Sequence, residues 1–271
     1  MAVTTLARRG PAKPPVGQLL REWRERRRIS QLDLSIQAEI SARHLSFVET
    51  GRSRPTPGMI LRLSEQLDVP LRERNALLLA GGYAPVYPEH SLDEPELTRL
   101  RAALRQILTG HEPYPALVVN RWWEMLDGNG AVALLTEGCD PALLTPPVNA
   151  LRASLHPDGM APRIANLPEW RAHILERLQR QVQATRDPRL AGLHAELSAY
   201  PGGVGERPEL TEVAVPLRLR HGDRELAFFS MTAVVGAPLD VTVAEVAIES
   251  FYPADAETAG ALQAISGRAV T

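Results

Sequence analysis

Residues 30–54, SQLDLSIQAEISARHLSFVETGRSR, set Arg43, Arg52 and Arg54 among short polar side chains and two runs of helical apolar spacing. A guanidinium presents a planar fork of N–H donors that matches phosphate oxygens or the O6/N7 edge of guanine. The chemistry on offer is recognition of a nucleic acid. Residues 1–54 carry 11 Arg/Lys against 5 Asp/Glu, a local charge of +6, whereas the whole chain sums to -2 and the remainder to -8. A basic unit facing nucleic acid, joined to an acidic one, produces such an asymmetry. Chance clustering on a solvated helix is the competing reading.

No other residues form a reactive constellation. The sequence contains no HExxH, GxSxG, phosphate loop or CxxC, and His90, His111, His156, His173, His194 and His221 lack ligand spacing. His173 and Glu176 share a helix face, a pairing common on solvated helices. The expectation is therefore no enzymatic activity and no metal. The single cysteine, Cys139, cannot form an internal disulfide and fits a reducing compartment, as a small packed side chain. No apolar run approaches the ~20 residues that span a bilayer, and the start lacks the apolar core of a signal peptide, so a cytoplasmic protein is expected.

The elements that must position these residues can be read from caps and periodicity. Residues 1–15, basic and proline-rich, read as a flexible arm. A helix begins near Gly17 with Leu19, Leu20 and Trp23 as its apolar stripe. Ser30 caps a second helix, Gln31 to Ala38, and Ser41 a third that ends at Gly51. Thr56 and Pro57 open a fourth, with Ile60, Leu61, Leu63 and Leu67 inward, and the run before Gly81-Gly82 is a fifth. After a linker at 84–95, a helix leads to ALVVNRWWEML, read as two strands about a tight turn at Asn120-Arg121. Four helical segments follow, then a hairpin about His221-Gly222-Asp223, a third late strand in VTVAEVAIESFYP and a closing helix. This order predicts a five-stranded antiparallel sheet with packed helices. The domains expected are the arm, a DNA-binding unit at 16–83, the linker, and a sensor and dimerisation unit at 96–271.

Residues 31–50 have the lengths of a helix-turn-helix, whose second helix enters the major groove. Arg24, Ser30-Gln31, Leu34, Ile40-Ser41, Leu45, Glu49-x-Gly51-x-x-x-Pro55 and the amphipathic helix that follows resemble the XRE family of phage-repressor-type helix-turn-helix domains over about 16–80. Glu39 stands where most such motifs carry Gly, which asks a left-handed backbone of a residue with a Cβ. The resemblance implies that Arg24 pairs with Glu49 and clamps the third helix. It also implies that Gln31 meets a phosphate, that Ser41, Ala42, Arg43, His44 and Ser46 face the groove, and that Arg52 and Arg54 hold phosphates. Of these, Arg43 suits base readout. Ala42, where relatives often carry Gln, suits a thymine methyl.

The phrases PALVVNRWWEMLDGNGAVALL, LPEWRAHILERLQRQVQATRDPRLAGLHAELSAYP and LRHGDRELAFFSMTAVVGAPLDVTVAEVAIESFYPAD resemble the C-terminal domain of MmyB-like transcription regulators, a PAS-like sensor fold, over about 92–268. Asp127 and Gly128 before Asn129 depart from the commoner pattern. The fold class implied is α + (α+β): a five-helix, phage-repressor-like bundle followed by a PAS-like antiparallel sheet with packed helices. That resemblance implies a small apolar ligand, with a fatty acid the leading type, and no other cofactor. Trp122, Trp123, Met125, Phe228, Phe229 and Phe251 are candidate walls, and Arg121, Arg171 or Arg177 could meet a carboxylate. The function expected is a dimeric regulator on double-stranded DNA, at a near-palindromic operator, whose ligand modulates binding. The alternative keeps DNA binding and makes the second unit a ligand-free dimerisation or protein-interaction platform.

Overall fold

In a computed structural model, which describes residues 15–203, 205 and 214–269, the chain begins with five helices. These are α1 (Val16–Arg26), α2 (Gln31–Gln37), α3 (Ala42–Glu49), α4 (Pro57–Gln66) and α5 (Leu71–Ala80). Residues 1–14 of the expected arm lie outside the described residues. Three helices start on hydroxyl caps. Ser30 Oγ accepts from the Asp33 N–H at 3.0 Å, Ser41 Oγ from His44 at 3.1 Å and Thr56 Oγ1 from Met59 at 3.3 Å. Each satisfies an N–H that has no intrahelical partner. Leu20, Trp23, Leu34, Leu45, Ile60, Leu63, Leu67 and Leu77 fill the bundle core, and Leu61 packs half-buried at its edge.

Two backbone features set the angle between the helices. Glu39 has φ +53°, in the left-handed region, and turns the chain from α2 into α3. A Cβ added to Gly17 would sit 2.0 Å from the Val48 carbonyl oxygen. Only a residue without a Cβ lets α1 lie this close to α3.

The rest of the chain contains α6 (Thr98–Gly110), β1 (Ala116–Val119), β2 (Met125–Gly128), α7 (Val132–Thr136), α8 (Ala150–Leu155), α9 (Leu167–Thr185) and α10 (Pro188–Ala199). It continues with β3 (Leu217–His221), β4 (Arg224–Val234), α11 (Val241–Glu245), β5 (Ala247–Pro253) and α12 (Ala256–Ala269). The strands form one antiparallel sheet in the order β2-β1-β5-β4-β3. The fold is thus α + (α+β), with the expected hairpin closed at His221↔Arg224. Strand β1 is buried on both faces. Leu117 and Val119 join a core with Trp170, Ile174, Leu178 and Phe228, while Ala116 and Val118 meet Leu104 and Leu108 of α6. A strand covered on both sides reads as the continuous apolar run ALVV rather than an alternation.

Two expected strands are corrected. The turn between β1 and β2 runs through Trp122 and Trp123 instead of ending at Arg121. Asn120 Oδ1 accepts from the Trp122 and Glu124 N–H groups at 2.9 and 3.0 Å, and Trp123 takes φ +67°. An Asx side chain that mimics a backbone turn has won over the strand preference of two aromatics. The segment Val241–Glu245 is helical, because the Asp240 carboxylate accepts from the Thr242 and Val243 N–H groups at 2.8 and 3.2 Å. Only β5, after it, is a strand.

The chain divides into two compact units, Met1–His90 with Ala237–Ala244, and Ser91–Gly236 with Glu245–Thr271. In the first, the Asp240 carboxylate also accepts from the His90 backbone N–H at 3.1 Å, and Val241 donates to the Pro88 carbonyl at 2.8 Å. The segment 237–244 therefore closes on residues that the sequence reads as linker.

Candidate DNA-reading helix and sensor cavity

In the first unit, α3 is held by its buried face. Leu45 and Val48 enter the core, and Glu49 accepts from Arg24 in a two-pronged ion pair, Nε–Oε1 2.7 Å and Nη2–Oε2 2.9 Å. The Glu49 side chain is only 1% exposed. Its hydrogen bond raises the Arg24 pKa further, so the guanidinium stays charged. Arg24 Nη1 also donates to the Ile29 carbonyl at 3.0 Å, and Gln31 Nε2 donates to Glu49 at 2.7 Å. Gln31, at the start of α2, thereby has one amide N–H committed to the clamp.

The outer face of α3 is built differently. Arg43 and Arg52 both lie over the Phe47 ring, at 5.4 and 5.9 Å from its centre. Such cation–ring contacts place two guanidinium groups without consuming their N–H donors. Ser41 and Arg43 are exposed, and Ala42, His44 and Ser46 are half-buried beside them. His44 Nε2 is 3.4 Å from Ser53 Oγ. Arg54 stands apart from this group, donating from Nη2 to the Gly81 carbonyl at 2.8 Å and lying over Tyr83. Sequence reading passed over Phe47, although its i, i+4 spacing from Arg43 was a visible signal.

In the second unit, a cavity opens between the sheet and the helices α7, α8 and α9. The space open to the centre of a water-sized sphere is about 80 Å³, several times what one water needs. Trp170, His173, Ile174 and Arg177 reach it from α9, a spacing of i, i+3, i+4, i+7 that defines one helix face. Leu117, Met125, Leu217 and Phe251 line it from the sheet, and Leu135, Leu151, Ser154 and Met160 from the far wall. Trp123 enters because its left-handed backbone turns the ring inward.

Few polar groups reach this space. Arg177 donates to both oxygens of buried Glu249, at 2.5 and 3.1 Å, and to Thr232 Oγ1 at 2.6 Å. The Arg177 guanidinium lies 4.4 Å from the Trp123 ring centre. His173 stacks on Trp170 at 5.5 Å, and its pKa is lowered by burial and by the neighbouring cations Arg177 and Arg180. The imidazole is neutral at physiological pH.

Of the sequence-derived cavity residues, the structure brings together Trp123, Met125, Arg177 and Phe251. The others lie elsewhere. Arg121 pairs with Glu245 and Asp187 at 2.8 and 2.9 Å. Trp122 donates to Asp187 and lies under Arg189. Arg171 donates to the Ser198 and Gly203 carbonyls. Phe228 is packed in the core, and Phe229 is exposed on the other side of the sheet. Cys139 is buried and its thiol is pushed up by burial, which suits packing rather than reactivity.

A helix-turn-helix unit on the same chain as a hollow α+β unit is the two-part build of a transcription-regulator family. Residues 15–77 match a helix-turn-helix domain and residues 100–265 match the MmyB-like transcription regulator ligand binding domain. The chain belongs to this MmyB-like family. It is 36% identical over 76 residues to the uncharacterized HTH-type transcriptional regulator RghRB of Bacillus subtilis (strain 168), an alignment covering 28% of this chain and 52% of that protein. An RNA-binding light-oxygen-voltage receptor structure aligns with 96% of this chain and 64% of its own at 12% identity, with a TM-score of 0.27. The matches are to regulators, not enzymes. Among the described residues no helix is long and apolar enough to cross a membrane.

Proposed function

We propose that this chain is a homodimeric, cytoplasmic regulator that binds a near-palindromic operator and whose operator binding is changed by a small apolar molecule. The observation that carries the ligand half is the cavity, whose walls are side chains of the kind that bury hydrocarbon. Fatty acids and their neutral derivatives have the matching body. For the DNA half, Arg43 reads a base while Arg52, Arg54 and Gln31 hold the backbone, supported by the placement of Arg43 and Arg52 on the outside of a clamped helix. Two-fold proteins read two-fold operators, and one small module seldom binds tightly enough alone.

The test is an unbiased selection of DNA by the purified full chain, with and without 1-octanol, alongside light scattering for mass. Inverted repeats, a dimer mass and an octanol-dependent change in enrichment are expected. Single half-sites would remove the dimer, and identical selections with protein that takes up no additive would favour a ligand-free interaction platform. Neutralising Arg52 should lower the salt dependence of binding by about one unit of slope, whereas an unchanged slope would remove it from the interface.

A further inference from the structure

The polar groups of the cavity determine the head group that its ligand carries. Arg177 is the guanidinium among the lining residues, and a carboxylate ligand would need it. Its Nη1 and Nη2 already bond the two oxygens of Glu249, and Thr232 closes the triangle by donating from Oγ1 to Glu249 at 2.7 Å. The Glu249 side chain is 7% exposed, so releasing Arg177 to another anion would strand a buried carboxylate. The remaining face of the guanidinium lies against Trp123. Arg180, one turn further along α9, points outward and pairs with Glu176 at 3.0 Å. The charged lining residues thus cancel, and an added carboxylate would stand as an uncompensated anion among apolar walls.

His173 is placed to receive a different group. Its ring faces the cavity, it is held flat against Trp170, and among the described residues neither ring nitrogen has a hydrogen-bond partner. The Trp170 indole is occupied separately, donating to Ser154 Oγ at 3.0 Å, which leaves the Ser154 hydroxyl its own proton to donate. A neutral imidazole offers one donor and one acceptor. We infer that the cavity selects an uncharged ligand, an apolar body with one hydroxyl, amide or carbonyl head bonded to His173, and rejects the carboxylate of the same chain length.

This inference rests on the reading of the cavity as a ligand site, and matched probes separate the two. Full-chain protein at pH 8 is titrated with 1-octanol, octanamide and octanoate, followed by calorimetry and by the shift in unfolding temperature. The two neutral probes should bind at least tenfold more tightly than octanoate. Octanoate binding as well as octanol would overturn the head-group inference while keeping the ligand site. Failure of all three would overturn both. Glu249→Gln should free Arg177 and raise octanoate affinity at least tenfold, and no gain in a folded variant would mean that the ion pair is not what excludes the anion. His173→Phe, which keeps the wall apolar, should weaken octanol while leaving octane unchanged. Equal octanol binding would remove His173 from the site.

Discussion

Each unit contains an arginine–glutamate fork with a buried carboxylate, Arg24–Glu49 in one and Arg177–Glu249 in the other, and these two forks do opposite work. Arg24–Glu49 ties α1 to α3, takes in Gln31, and lies beneath the surface that carries Arg43 and Arg52. Arg177–Glu249 ties α9 to β5, takes in Thr232, and lies at the wall of the cavity itself. In both, the carboxylate is more buried than its arginine, 1% against 10% exposed in the first and 7% against 28% in the second. The first fork holds a helix whose outer face carries Arg43 and Arg52. The second engages the arginine that lines the cavity. Counting arginines near a site therefore says little without the carboxylates that face them.

The comparison can be broken at several strengths. Glu49→Ala strands the Arg24 charge, and a loss of about 3–5 kcal/mol in chemical denaturation is expected, with much of it recovered in Arg24→Met/Glu49→Leu. A loss under about 0.5 kcal/mol, the scale of a solvated pair, would end the distinction between the forks. Arg43→Ala should leave stability intact and cost about 1–3 kcal/mol on the selected operator, with relaxed preference at one base pair. Equal weakening on random DNA would make Arg43 a backbone contact. Ser41→Ala removes the α3 cap and should cost about 1 kcal/mol of stability, which a thermal melt resolves.

The smallest effect concerns a third fork, Arg152–Glu196 in the second unit, which is more exposed than the other two. The Arg152 hydrogen bond, opposed by burial and helped by Tyr200, lowers the Glu196 pKa from 4.5 to about 2. A carboxyl held lower in the folded state contributes stability that is full above 4.5 and is lost as pH falls towards 2. Glu196→Gln should therefore flatten the acid limb of the stability profile over that interval, by a fraction of a kcal/mol after solvent screening. An unchanged profile would show that the pair contributes nothing in solution.

How much of this was legible depended on the range of the deciding interaction. Ser30, Ser41 and Thr56 act on N–H groups three residues away, so the helix starts were readable, and the hairpin about Gly222 was equally local. Glu39 advertised its left-handed turn through its place in the motif. Val241–Glu245 misled because its β-branched residues read as strand, whereas a single cap at Asp240 tipped it to helix. The choice among Arg121, Arg171 and Arg177 was not readable. Asp187, Glu245, Ser198 and Glu249, all remote in sequence from the arginines they engage, made it. The α9 face did leave a trace, since WRAHILER holds Trp170, His173, Ile174 and Arg177 at helical spacing.

Strand β1 pairs with β2 just after it and with β5 near the end of the chain, so the middle of the sheet joins the first and last strands of its unit. On a ribosome, that pairing must wait until β5 has emerged, whereas the helix bundle needs chiefly neighbours already made. Synthesis thus finishes the helix bundle first. For an interval, each new molecule holds a formed α3 and no completed sheet.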